Sequence, residues 1–150
     1  MKLLKLRVVS IACLAALNLG AATVPRLDLK ELAQGSAVTV HGRILRQWCA
    51  WDPEHRFIWT HSQVAVHEVF KGGPYATITI SEPGGTLDGL SMHVSGAVRF
   101  ANGEEVVVFL HDTPLRYWRV YGWNQGKYHF APAAGKDIAA FKARLRQVIQ

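Results

Sequence analysis

The chain has 150 residues, 49% hydrophobic and 19% charged, with 17 lysines and arginines against 11 acids. That length suits one ordinary domain able to bury a core without covalent staples. The basic excess does not mark a polyanion-binding face, because Lys2, Lys5 and Arg7 stand at the amino end and the remainder sits in the tail, where Lys136, Lys142, Arg144 and Arg146 face only Asp137.

MKLLKLR, then the short apolar run VVSIACLAALNLG, then small residues at Gly20, Ala21 and Ala22 predict a secretory signal peptide over residues 1–22. The single domain then runs over 23–150, exported to the periplasm or the medium and not stably inserted in a membrane once the leader is cut. A lipoprotein site at Cys13 is disfavoured by Ser10, where a large aliphatic belongs. Only Cys49 outlives cleavage, so no internal disulfide can form, and Cys49 reads as a small buried hydrophobe.

RLDLKELAQGS predicts a short helix, with Asp28 as N-cap, Leu29, Leu32 and Ala33 as its apolar pattern and Gly35 as its stop. AVTVHGRIL alternates as a strand, WDPEHR interrupts, and FIWTHSQVAVHEVFKGG resumes, which predicts a long hairpin. After the turn at Lys71 to Pro74, YATITI is a strand with Ile78 and Ile80 inward, EPGGTLDG a loop, and MHVSGAVRF a weaker strand. Asn102-Gly103 gives a hairpin turn. Glu104 and Glu105 then enter a strand with their side chains on opposite faces, so they cannot act as a glycosidase pair on one bond.

VVVFL is apolar on both faces and reads as the deepest strand, with His111 at its exit. RYWRVYG and KYHF predict two aromatic strands around a hairpin turn at WNQG. In the tail, Ile138, Phe141, Leu145, Val148 and Ile149 fall on one helical stripe, a docked amphipathic helix over 136–150. Lys142 and Arg146 flank that stripe. The whole predicts a mainly β fold, a small OB-like barrel of six or seven strands with a helix at each end, the alternative being a sandwich.

Catalytic motifs are approached and missed. HEVFK, from His67, has Lys71 where His-Glu-x-x-His needs its second ligand. GLSMH has His93 where a nucleophile elbow needs glycine. GWNQGK is one residue short of a phosphate loop and has Tyr128 in place of the magnesium-binding hydroxyl. No cofactor is implied, and the pattern predicts ionisable groups dispersed instead of gathered in one pocket. The candidate metal ligands are His61, His67 and His93, with His41 on a neighbouring strand and Glu68 beside them.

Tryptophan is the more concentrated signal. Trp48, Trp51 and Trp59 bracket the first hairpin and Trp123 sits in the WNQG turn, offering a binding patch or, equally, a plug for the barrel end.

The stretches SAVTVHG, VAVHEVFKG, EPGGTLDG, FANGEEVVVFL and YGWNQGKYHF, which together span most of the domain, resemble a group of small, uncharacterised secreted bacterial proteins. Their order is also similar to the netrin-like domains of metalloproteinase inhibitors, which implies an OB barrel. Those domains depend on several disulfides and, in tissue inhibitors, on an N-terminal cysteine at the protease zinc. With Cys49 alone, the resemblance implies fold and secretion without inhibitory chemistry.

The leading expectation is a non-enzymatic module that binds a protein or extended polymer, not nucleic acid, through loop-borne aromatics. The alternatives are a metal-dependent or hydrolytic enzyme assembled from distant strands, and an envelope assembly component acting by β-augmentation.

Overall fold

The computed structural model describes residues 24–131 and 135–150; the predicted leader lies outside them. The fold is mainly β. Helix α1 (Leu29–Gly35) is followed by β1 (Val38–Trp51), β2 (Ile58–Lys71), β3 (Thr77–Pro83), β4 (Gly85–Leu87), β5 (Leu90–Met92), β6 (Glu105–His111), β7 (Arg119–Val120), β8 (Lys127–Phe130) and helix α2 (Gly135–Ile149). Six strands form one sheet in the order β3-β2-β1-β6-β7, with β8 also pairing β6, while β4 and β5 make a separate small hairpin. No described helix is long and apolar enough to cross a membrane.

Helix α1 starts where its sequence says. Asp28 accepts from the Glu31 backbone N–H at 2.8 Å and Glu31 accepts from that of Asp28 at 2.7 Å, a closed capping box. Its other end is satisfied from β2. The Lys71 ammonium donates to the carbonyls of Ala33, Gln34 and Ser36 at 2.7, 3.3 and 2.5 Å, putting positive charge where the helix dipole is negative. Lys71, which spoils the zinc motif, is thus a helix cap.

The sheet has a core on each face. Val38, Val40, Ile44, Val64, Ile78, Ile80, Val106, Val108, Leu110 and Val120 pack on one side. On the other, Val107, Phe109 and Phe130 meet Leu32 and Ala33 of α1 and Leu145 of α2. Alternation along β6 feeds both cores, and each residue from Val106 to Leu110 is fully buried. Ile138, Phe141, Val148 and Ile149 pack around the second core, as the helical stripe predicts.

β1 and β2 pair over nearly their whole lengths with three register shifts, which leave Leu45, His67 and Phe70 without a ladder partner. Bulges of this kind bend a strand and re-aim its side chains. Gly42 sits at one of them. A Cβ there would stand 2.3 Å from the Ala65 carbonyl oxygen, so only glycine lets β2 cross so closely.

Four expectations about turns and strands are corrected. EPGGTLDG is not a plain loop, since Glu82 and Pro83 extend β3 and Gly85–Leu87 pairs with Leu90–Met92. Beyond Met92, MHVSGAVRF is not a strand. Val98 is buried there, but the Arg99 and Phe100 carbonyls accept from Lys127 Nζ (2.6 Å) and Gln47 Nε2 (3.0 Å), so side chains take the place of a ladder. Asn102-Gly103 is a turn, with Gly103 at φ +82°, that docks on β1 through Gly103 N to Ile44 O instead of joining two strands.

WNQG is likewise no hairpin turn. β7 and β8 both run antiparallel to β6, one beside Leu110 and His111 and the other beside Glu105 to Val108, so they continue in one direction. A 3-10 turn at Trp123–Gly126 separates them, and a Cβ on Gly126 would lie 2.0 Å from the Tyr121 carbonyl. At the far edge a single parallel bridge pairs Ile80 with Trp118, and the Ser81 N–H donates to the Trp118 carbonyl at 2.9 Å.

Candidate functional site

Side chains from three strands converge beside α2. His41 on β1 and Glu105 on β6 are joined by a 2.6 Å contact from His41 Nε2 to Glu105 Oε1, and His67 Nδ1 lies 3.4 Å from the same oxygen. The imidazoles meet edge to face at 5.2 Å. Arg43 Nη2 holds the second oxygen of Glu105 at 2.9 Å. His41 is buried, Glu105 nearly so, and the His67 side chain is 44% exposed, so the cluster opens to solvent on the β2 side. This corrects the expectation that ionisable groups are dispersed.

Burial pushes the His41 imidazole below its ordinary pKa and Lys142 adds to that, while the hydrogen bond and charge of Glu105 pull the other way. For Glu105, burial works upward, but the bonds from His41 and Arg43 outweigh it and hold the carboxyl below the usual range. Glu68, beside His67, is clamped by Lys142 at 2.9 Å and Arg146 at 2.5 Å, which likewise overcome burial and keep it ionised.

Arg43 and Glu105 also line an open cavity of about 650 Å³ with Arg99, Phe100, Glu104 and Lys127. Glu104 contacts Lys127 at 2.7 Å and His129 at 2.8 Å. The two consecutive glutamates therefore hold separate partners, but β6 starts only at Glu105, so Glu104 belongs to the preceding turn and does not share the strand's alternation, and both line this cavity.

The tryptophans are arranged differently from a uniform exposed patch. Trp48 is 38% exposed, yet one face stacks on His61 at 5.3 Å and the Arg46 guanidinium lies 4.9 Å from its ring centre. His61 meets Tyr117, and Tyr117 meets Trp59, both edge to face. Trp59 is buried, with the Arg119 guanidinium 5.7 Å from its ring. Trp123 is exposed, and the same guanidinium lies 5.9 Å from it. Trp51 Nε1 donates to Asp88 at 3.3 Å, tying the first hairpin to the β4–β5 turn.

Of the three candidate ligand histidines, His67 joins the cluster. His61 does not: it contacts Ser81 Oγ at 2.7 Å and lies six residues from His67, roughly 20 Å along an extended strand. His93 is exposed in the segment after β5. Glu105 and Arg43 are the partners that sequence reasoning missed. Their prior signals are that GEEVVVFL places a carboxylate at a strand start and that alternation along AVTVHGRIL puts Arg43 on the face of His41. Compared with known proteins, the chain matches no family model and no curated sequence.

Burial alone lowers the pKa of His61, and His111 is lowered by burial and then by Arg119. Each protonates more readily when unfolded, so their stability contribution is complete above the unfolded value of about 6.5 and declines as pH falls through it toward the folded value. The denaturation midpoint should therefore drop between about pH 7.5 and pH 5.5, and His61→Gln should flatten that slope. An unchanged slope in His61→Gln would refute the assignment.

Proposed function

We propose that the protein is an exported, non-catalytic binding module that recognises a polypeptide through the end of its first hairpin and the adjoining β4–β5 turn. The carrying observation is that two turns bearing exposed apolar side chains are fastened together. Phe57, in the β1–β2 loop, and Leu90, at the start of β5, are 49% and 57% exposed, and Trp51 at the end of β1 is bonded to Asp88 in the β4–β5 turn. Asp52 Oδ1 accepts from the Arg56 and Phe57 N–H groups at 2.6 and 3.1 Å, which fixes the turn presenting Phe57. An apolar tip already held in place loses little conformational entropy on binding.

A polypeptide fits better than a glycan. Sugar rings stack on a free aromatic face, and Trp48 has His61 on one face and Arg46 over its ring. Partly exposed tryptophan and arginine edges suit protein contacts, where these residues supply most hot spots. We take the scaffold to be an OB-like barrel, the fold implied by the netrin-like resemblance. Its support is the strand order together with the bridge from Ile80 to Trp118, which brings β3 beside β7. Export rests on the leader read over residues 1–22.

A photo-reactive residue at position 57, introduced in the organism that makes the protein, should yield discrete protein adducts. Trp51→Ala with Leu90→Ser should weaken capture by roughly thirtyfold, the effect of losing one hot spot, with the unfolding curve unchanged. Undiminished adducts in that double variant, or saturable binding to a polysaccharide instead, would overturn the reading.

A further inference from the structure

We propose that His41, His67 and Glu105 form a binding site for one divalent transition-metal ion, with zinc as the probe. The three ligand atoms lie within 4.8 Å of one another. An ion about 2.0–2.2 Å from two imidazole nitrogens and a carboxylate oxygen places those atoms roughly 3.0–3.5 Å apart. Of the two contacts to Glu105 Oε1, that from His67 at 3.4 Å already has this spacing and that from His41 at 2.6 Å is shorter, so a small rotation of the His41 or Glu105 side chain admits the ion.

The strands hold the ligands in place. His41 and Glu105 stand on paired strands, where Arg43 and Glu105 are directly opposite. His67 is the residue left without a ladder partner where the β1–β2 register shifts between His41 and Gly42. A regular ladder would pair it, and the bulge turns it toward its neighbours. Arg43 grips Oε2 of Glu105 and leaves Oε1 between the imidazoles, the orienting contact that metal sites draw from their surroundings.

The donor set selects the class of ion. Two imidazoles and one carboxylate suit zinc, copper, nickel or cobalt, whereas calcium and magnesium ask for oxygen ligands. Of the cations nearby, Lys142 is committed to Glu68 at 2.9 Å and Arg43 to the outer oxygen of Glu105. Three protein ligands on a partly exposed surface leave a coordination position for water or for a donor from a partner. The same groups without an ion would constitute an ordinary ion-pair network, and zinc titration separates the two cases.

The full exported chain, stripped with chelator and titrated with zinc at neutral pH, should bind one equivalent. Cobalt in its place should give visible absorption bands characteristic of imidazole ligation. His67→Ala and Glu105→Gln, which remove ligands from different strands, should each weaken zinc binding by more than the about 10–100-fold typical of changes around a metal's ligands. His93→Gln should bind as the unaltered chain does. Circular dichroism confirms that each variant is folded, and the cobalt bands of the unaltered chain stand independently of any variant. Absence of a stoichiometric zinc site, or His67→Ala binding as tightly as the unaltered chain, would overturn the proposal.

Discussion

Glu82→Ala should lower the free energy of unfolding by about 3–5 kcal/mol, the usual cost of removing one partner from a buried ion pair. The Glu82 side chain is 4% exposed and Arg119's 23%. One oxygen of Glu82 accepts from Arg119 Nη2 at 3.0 Å and the other from the Val120 backbone N–H at 2.8 Å. Alanine would leave a guanidinium half sunk in the protein with no counter-charge, although Arg119 Nε already lacks a partner, and would orphan a buried backbone donor as well.

Glu82→Gln keeps an acceptor for Val120 and should cost less than alanine. Pairing Glu82→Met with Arg119→Met should recover most of the loss, because replacing both charges with apolar volume removes the desolvation penalty along with the attraction. Urea denaturation of the four chains checks this. If Glu82→Ala matches the unaltered chain within about 0.5 kcal/mol, the pair is solvated and the account of this seam fails. Glu82 stands on β3 and Arg119 on β7, beside the bridge from Ile80 to Trp118, so the loss falls where those two strands are otherwise held by few bonds.

Much of this fold is written locally. Asp28 and Glu31 announce α1, Ile78 and Ile80 alternate into the core, and the stripe from Ile138 to Ile149 gives α2 its buried side. The run VVVFL is apolar on both faces because its strand serves two cores, which a sequence pattern reports as burial without saying what does the burying. Errors arise where tertiary bonds replace local ones. Nothing in MHVSGAVRF reveals that Lys127 and Gln47 will satisfy its carbonyls, and nothing in WNQG tells that both flanking segments share β6 as their partner.

The cluster was half legible. His41 and His67 are sensible neighbours on paired strands, but counting residues in steps of two equally favours His61. The register decides the matter, setting His41 opposite Glu68 and His61 opposite Trp48, and neither it nor the close approach of β2 at Gly42 is visible without the fold. Trp59 shows the converse: the same hairpin position that suggests exposure is covered by Tyr117 and Arg119, which arrive from nearly sixty residues away in the chain.

Phe109→Ala should cost about 3–5 kcal/mol, the usual range for truncating a buried phenylalanine. Its ring is wholly buried in the core between β6 and the helices and meets Tyr128 edge to face at 6.0 Å. A helix of 15 residues such as α2 is marginal by itself, so its helicity depends on this packing. Amide exchange should consequently accelerate in α2 more than in β3, whose Ile78 and Ile80 lie in the other core. Equal acceleration in both would mean that the two cores unfold as one. The distinction bears on the histidine cluster, because α2 supplies Lys142 and Arg146 to Glu68, and a loosened helix frees those charges beside His41 and His67.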